Sequence, residues 1–205
     1  MIPIQMCMHD REQMVQRIVN EFFEASPDQL QRGINWYPSA HEVAEMMCDG
    51  DVRQGAALLA AFSPQTRWLL NIRLACEAYE TGKPRGHVSE VLSKANKILA
   101  GLDPEDILPM DRKTGQFYRC IVDPTDAEAV CIDRHAHDIA VGTPYGNRDR
   151  GLSAKGRYAL VAHCYREAAQ RVGELPMVAQ AVTWLVWRER LAGTSTRGTT
   201  ALQEV

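Results

Sequence analysis

In Val130-Cys131-Ile132-Asp133-Arg134-His135 a carboxylate follows a short apolar run and precedes a guanidinium and an imidazole. An aspartate in that setting has two uses. It caps a helix, accepting from first-turn amides that have no partner, or it sits desolvated in a cleft and takes or holds a proton. Lys113 is a nucleophile if burial lowers its pKa, a cation for an anionic group, or an exposed helix-start lysine. His135, His137 and Asp138 form an H-x-H-x-D string. Residues two apart on a helix face different ways, so a shared metal ion is not expected. One of the two histidines is expected to face a cleft and the other to pack or lie on the surface. The catalytic candidates are Asp133, Lys113 and His135, with no metal and no cofactor. The six cysteines include no C-x-x-C pair, which argues against zinc ribbons and iron–sulfur clusters.

Other residues have the chemistry of a binding site. Gln65 follows Ser63-Pro64, which is expected to open a helix and to offer free amides to an anion. Trp68, Phe117, Tyr118 and Trp184 offer flat faces on which a ring can stack, or they fill a core. Gln180 and Arg188 place polar groups near Trp184 where an apolar arc is expected, as in a lined cleft; Arg188 alternatively caps its helix or forms an ion pair. A net charge of −3 gives no global sign of nucleic acid. Local basic groups exist: Lys83, Arg85 and His87, and the denser Arg148, Arg150, Lys155 and Arg157. Each is either a DNA-backbone contact or a solvated loop.

The elements that position these residues read as helices. Met14, Val15, Ile18, Val19, Phe22 and Phe23 form an apolar stripe, ended by Ser26-Pro27-Asp28. Ser39 is expected to cap a helix through Met47. Further helices are expected over 52–61, from Ser63 to Gly82, over 88–99, near Asp103-Pro104, over 112–121, over 134–140, from Ser153 to Arg171, and from Pro176. A Gly- and Arg-rich loop is expected over 142–151, and a frayed tail over 193–205. The expected class is all-α, nine or ten helices in one domain over 1–192, folded as two lobes around a cleft. The first residues lack a signal-peptide pattern, and no apolar run reaches membrane length. A cytoplasmic protein with reduced thiols is expected.

Three segments resemble, in order, the helix-hairpin-helix DNA glycosylase superfamily. They are Phe62-Ser63-Pro64-Gln65 with Asn71, then Ser93-Lys94-Ala95 with Ile98, and then Leu108 to Thr114 followed by Val130 to His135. The resemblance implies that Asp133 carries chemistry and that Gln65 fills the gap left by a flipped base. The hairpin glycines are replaced by Met110-Asp111, and an aspartate there repels a phosphate unless it points away.

A narrower set is similar to a phage branch of that superfamily, the α-glutamyl/putrescinyl thymine pyrophosphorylases or amino acid:DNA transferases. It comprises S-P-Q-x-x-W-x-x-N from Ser63 to Asn71, K-T-x-x-F-Y from Lys113 to Tyr118, I-D-R-H-A-x-D-I-A from Ile132 to Ala140, and P-x-x-x-Q-A-x-x-W-x-x-W-R from Pro176 to Arg188. This resemblance implies attachment of an amino acid, such as glycine, through its amine to phosphorylated 5-hydroxymethyluracil in double-stranded DNA. Phosphate is displaced, in thymidine hypermodification. The partners implied are that DNA, a free amino acid and an upstream DNA kinase, with no membrane and a host cytoplasm if the source is viral. Ser63, Gln65, Trp68, Asn71, Tyr118, Gln180, Trp184 and Arg188 would then bind substrate. Arg112, Arg134, Arg148, Arg150, Lys155 and Arg157 would bind DNA. The alternative is a glycosylase/lyase that excises a modified pyrimidine.

Overall fold

The computed structural model describes residues 8–86, 88–154 and 156–195, and all its regular elements are α-helices. There are ten among the described residues: α1 (Met8–Phe23), α2 (Pro27–Met47), α3 (Val52–Phe62), α4 (Trp68–Thr81), α5 (Ser89–Leu99), α6 (Pro104–Ile107), α7 (Lys113–Val122), α8 (Arg134–Val141), α9 (Arg157–Val172) and α10 (Pro176–Ser195). They form two compact units, one of residues 1–34 and 132–205 and one of residues 35–131. Among the described residues no helix is long and apolar enough to cross a membrane.

In the first unit α1, α8, α9 and α10 pack on one another. Met14, Val15 and Ile18 of α1 meet Val161, Cys164, Tyr165 and Ala168 of α9 in a core that excludes water. Helix α10 is buried on nearly every side from Pro176 to Trp187, with Trp184 half-exposed. A Cβ on Gly33 would lie 2.3 Å from Val182 Cγ2, so α2 approaches α10 at a distance that only glycine allows.

The second unit is built on α3, whose residues Gly55 to Phe62 are all buried. It is alanine-rich because α4, α5, α6 and α7 all contact it and leave little room for side chains. Asp51 caps α3 through Gln54 N at 2.9 Å. Helix α6, capped at its start by Asp103, leads through the turn at residues 108–112 into helix α7.

Four expected boundaries differ from those observed. Ser26-Pro27-Asp28 ends α1 but also begins α2. Ser26 Oγ accepts from Gln29 N while Gln29 Oε1 accepts from Ser26 N, a reciprocal cap. Ser39 is therefore interior to α2, and Pro38 lies inside that helix as well. Helix α9 begins at Arg157 rather than Ser153, after Gly156 with φ 83°. Helix α10 runs on to Ser195, and 196–205, the rest of the expected tail, lies outside the described residues. The helix expected from Ser63 starts instead at Trp68, because Ser63 to Thr66 form a turn closed by Thr66 N to Ser63 O at 3.4 Å.

That turn matters for the site. Pro64 takes its second position and Gln65 its third, with φ +59° at Gln65, where a type II turn calls for glycine. A glutamine side chain in the left-handed region costs roughly 1–2 kcal/mol. Gln65→Gly is therefore expected to leave stability unchanged or raise it by up to about 1 kcal/mol, once the greater unfolded-state freedom of glycine is offset. Urea unfolding measures this. A loss of more than about 1 kcal/mol would mean that the side chain holds the turn.

Candidate functional site

The first unit holds the carboxylate–imidazole pair. Asp133 is the N-cap of α8: its Oδ1 accepts from His135 N at 2.9 Å and Ala136 N at 2.8 Å. The capping use is thus met, but by one oxygen only. Oδ2 accepts from the Trp184 indole N–H at 3.1 Å. A carboxylate has about four lone-pair sites, so the three donors leave one on Oδ2. The half-buried Asp133 is held by the helix start on one side and by α10 on the other.

His135 lies beside it, its ring 6.4 Å from that of Trp184 and perpendicular to it at 82°. Burial lowers its pKa, against the opposing charge of Asp133. Arg134 Nε donates to His135 Nε2 at 3.2 Å, which fixes the neutral ring with its proton on Nδ1. Arg188 places its guanidinium 4.5 Å from the centre of the Trp184 ring, on the exposed end of α10. Asp133, His135, Trp184, Arg134 and Arg188 are thereby assembled through direct contacts.

His137 and Asp138 do different work. His137 is fully buried; its Nδ1 lies 3.1 Å from Asp138 Oδ1, and Arg157 Nη2 donates to Nε2 at 2.9 Å. Arg150 grips Asp138 with two hydrogen bonds, Nε to Oδ1 at 2.8 Å and Nη2 to Oδ2 at 2.7 Å, and Tyr145 N adds a third at 3.0 Å. Burial pushes the Asp138 carboxyl up, but Arg150, Tyr145 and His137 outweigh it and hold it below the usual carboxylate range. Burial lowers the His137 pKa, against Asp138. Arg150 also donates to the carbonyls of Arg134, Gly146 and Arg148. Its guanidinium therefore fastens the 142–151 loop to the first turn of α8, and Arg157 supports the same buried network. Neither is spread on the surface as the expected DNA-backbone contact requires. Arg148 is exposed, stacked 4.5 Å from the centre of the Tyr145 ring. His87 and Lys155 lie outside the described residues.

The second unit holds the remaining candidates. Lys113 is the first residue of α7 and half-buried, directly after the turn at residues 108–112. The turn is fixed by Gln116, whose Nε2 donates to Met110 O at 2.8 Å and whose Oε1 accepts from Val130 N at 3.2 Å. A Cβ on Gly115 would lie 2.4 Å from Pro109 O, so the turn is pressed onto α7. The Asp111 carboxylate points outward, 80% exposed, with Arg112 Nε 3.6 Å away.

Trp68 packs with Trp36 at 5.2 Å and Phe117 at 6.4 Å between ring centres, and Trp36 lies 5.8 Å from Phe117. Trp36 and Trp68 are both half-exposed, while Phe117 is buried. Gln65 and Ser63 precede this aromatic group in the turn before α4, Gln65 exposed and Ser63 half-buried with its Oγ on Ala60 O.

Three expected substrate contacts are placed differently. Asn71 is 2% exposed and donates Nδ2 to Leu59 O at 3.0 Å, tying α4 to α3. Tyr118 is buried, with its hydroxyl accepting from Arg53 Nε at 3.2 Å, so its ring is not available for stacking. Gln180 is buried on α10 and lines no open surface. Asn71 Nδ2 and the Tyr118 hydroxyl thus tie neighbouring helices together. The sequence reading passed over Trp36 and Tyr145. The adjacent Trp36-Tyr37 pair was a usable signal for the first; nothing in the sequence marked Tyr145.

Among the described residues no cluster of three or more metal-ligating side chains occurs. The described cysteines, Cys48, Cys76, Cys120, Cys131 and Cys164, are unbridged. Comparison with known proteins places the chain at family level. Residues 1–191 match the model of a family of unknown function, DUF7178, and the chain belongs to that family. No curated protein and no solved structure matches it.

Proposed function

We propose that this DUF7178 member is an amino acid:DNA transferase. It joins the amine of an amino acid to the exocyclic methylene of phosphorylated 5-hydroxymethyluracil in double-stranded DNA. The new C–N bond forms as the C–O bond to phosphate breaks, and the ammonium loses its protons to base. The observation that carries this reading is the Asp133 carboxylate, held by three N–H donors with one lone pair open beside a neutral imidazole.

An amine at neutral pH is mostly protonated and needs a group to orient it and another to take its proton. Asp133 Oδ2 offers the first. His135 Nε2 offers the second, once the ammonium replaces the exposed Arg134 guanidinium that now donates to it. Arg188, fixed on Trp184, supplies a cation for the amino acid's carboxylate or the departing phosphate. In the second unit, Trp36 and Trp68 present half-exposed faces on which a nucleobase can stack, and Gln65 is exposed in its strained turn. The chemistry requires that water be kept from the methylene. An upstream kinase must supply the phosphate.

The test is incubation with phosphorylated 5-hydroxymethyluracil DNA and glycine, digestion to nucleosides and mass spectrometry. The aminated nucleoside is the expected product. Its absence with every common amino acid and polyamine overturns the proposal. Lys113, half-buried at the start of α7, favours a second reading as a glycosylase/lyase. That reading predicts abasic sites and a borohydride-trapped adduct that Lys113→Ala abolishes.

A further inference from the structure

Arg134 has a fixed backbone and a loosely held side chain. Its carbonyl accepts from Arg150 Nε at 3.2 Å, and it opens α8 directly after the Asp133 cap. Its side chain is exposed, and among the described residues its one hydrogen bond runs from Nε to His135 Nε2 at 3.2 Å. Among the same residues no carboxylate pairs with Arg134 or with Arg188, which is exposed on the Trp184 ring.

The Arg134 contact has a chemical cost. Nε2 is the one nitrogen of the neutral ring that can take a proton, and the guanidinium both occupies its lone pair and opposes a positive charge there. Four charged groups act on His135. Asp133 and Asp138 favour its protonation; Arg134 of the same helix and Arg188 of α10 oppose it. Asp138 is held by Arg150 and Asp133 by three N–H donors. Arg134 is the exposed group that sits on Nε2 itself, and it can leave by rotation of its side chain while Arg150 and Asp133 keep the turn in place.

A phosphate dianion is the stronger partner for that guanidinium. It is charged and accepts two parallel N–H bonds, whereas the imidazole nitrogen is neutral and accepts one. We propose that Arg134 is a gate on the base: in the free protein it covers His135 Nε2, and a phosphate monoester draws it off. Nε2 then takes the amine's proton only when the phosphorylated substrate is present. The proposal rests on the transferase reading for the amine, but the gate is testable without transfer.

The test follows the imidazole nitrogen resonances of His135 in the full chain by NMR across pH, with inorganic phosphate as the probe. Chloride at matched ionic strength and glycine are the comparisons. Saturating phosphate is expected to raise the His135 midpoint by about one pH unit, tenfold in proton affinity, and chloride and glycine to do much less. Arg134→Ala should raise the midpoint by a similar factor with no anion added, and phosphate should then act no more strongly than chloride. An unchanged midpoint in Arg134→Ala, an equal rise with chloride or glycine, or a full phosphate response in the variant overturns the gate. The wild-type titrations stand even if the variant fails to fold. A phosphate response without any amine transfer strikes the transferase reading and leaves the gate; transfer without a phosphate response strikes the gate alone.

Discussion

Asp133→Asn is expected to lower amine transfer by about 100- to 10,000-fold, the usual worth of a positioned acid or base, while the protein stays folded. The substitution separates the two jobs of the residue. Asparagine caps a helix about as well as aspartate, and its carbonyl can still accept from His135 N and Ala136 N. The stability change should therefore stay within about 1 kcal/mol. What it removes is the charged Oδ2 that accepts from Trp184 and has a lone pair to spare. An amide nitrogen in that place would face the indole N–H donor to donor. Measurement of transfer rate together with urea unfolding checks both halves. An active Asp133→Asn protein would show that the carboxylate is a cap and nothing more.

The largest effect on stability is expected at Asp138. Asp138→Ala removes the acceptor for both Arg150 hydrogen bonds and for Tyr145 N, and leaves the Arg150 guanidinium, with a side chain 12% exposed, beside a fully buried His137. Breaking one side of a buried ion pair costs about 3–5 kcal/mol, a large part of the roughly 5–15 kcal/mol that holds a domain folded. Thermal unfolding should fall by roughly 6–20 °C for a chain of this size.

The pH dependence has a definite sign. Asp138 has a depressed pKa in the folded state, so its contribution is present above the unfolded value near 3.9 and is lost as pH falls through the folded value. His135 and His137 are lowered by burial. Folding then favours their neutral forms, and they too subtract stability as pH falls below about 6.5. Glu21, raised by burial, acts in the opposite direction and loses its contribution as pH rises through its folded value. Wild-type stability is expected to decline in two stages on acidification, and Asp138→Asn should weaken the second. Urea unfolding between about pH 2 and 7 reads both stages; a single stage in the wild type contradicts the assignment.

Much of the helical framework was readable because periodicity and caps agree. The stripe of α1, the alanine-rich α3, and the starts of α6, α7 and α8 all fall within a residue or two of their expected places. The misses have physical causes. Ser39 looks like an N-cap, yet it and Pro38 lie inside α2, which is also held by tertiary contacts such as Gly33 against Val182. Pro64 looks like a first helical residue, yet it sits in a turn that sets Gln65 at positive φ, a state that no pattern of residue types announces. Asp133 and His135 stood out in the sequence by their order and by the resemblance, and Trp184 by its helix. Their union did not, because the indole reaches Oδ2 from 51 positions away in the chain. Arg150 was misread for the same reason: its type suggests phosphate, and only the fold shows the carboxylate it already holds.

Transfer and excision leave the target base in different states. The direct measurement is the intact mass of a duplex strand carrying a single phosphorylated 5-hydroxymethyluracil, after incubation with the protein and glycine. The account predicts a strand whose phosphate has been replaced by glycine joined through nitrogen, with every glycosidic bond intact, and no such product from the Asp133→Asn protein. A strand that has lost the base, or one left unchanged by the wild-type protein with glycine and every other amine tried, contradicts it.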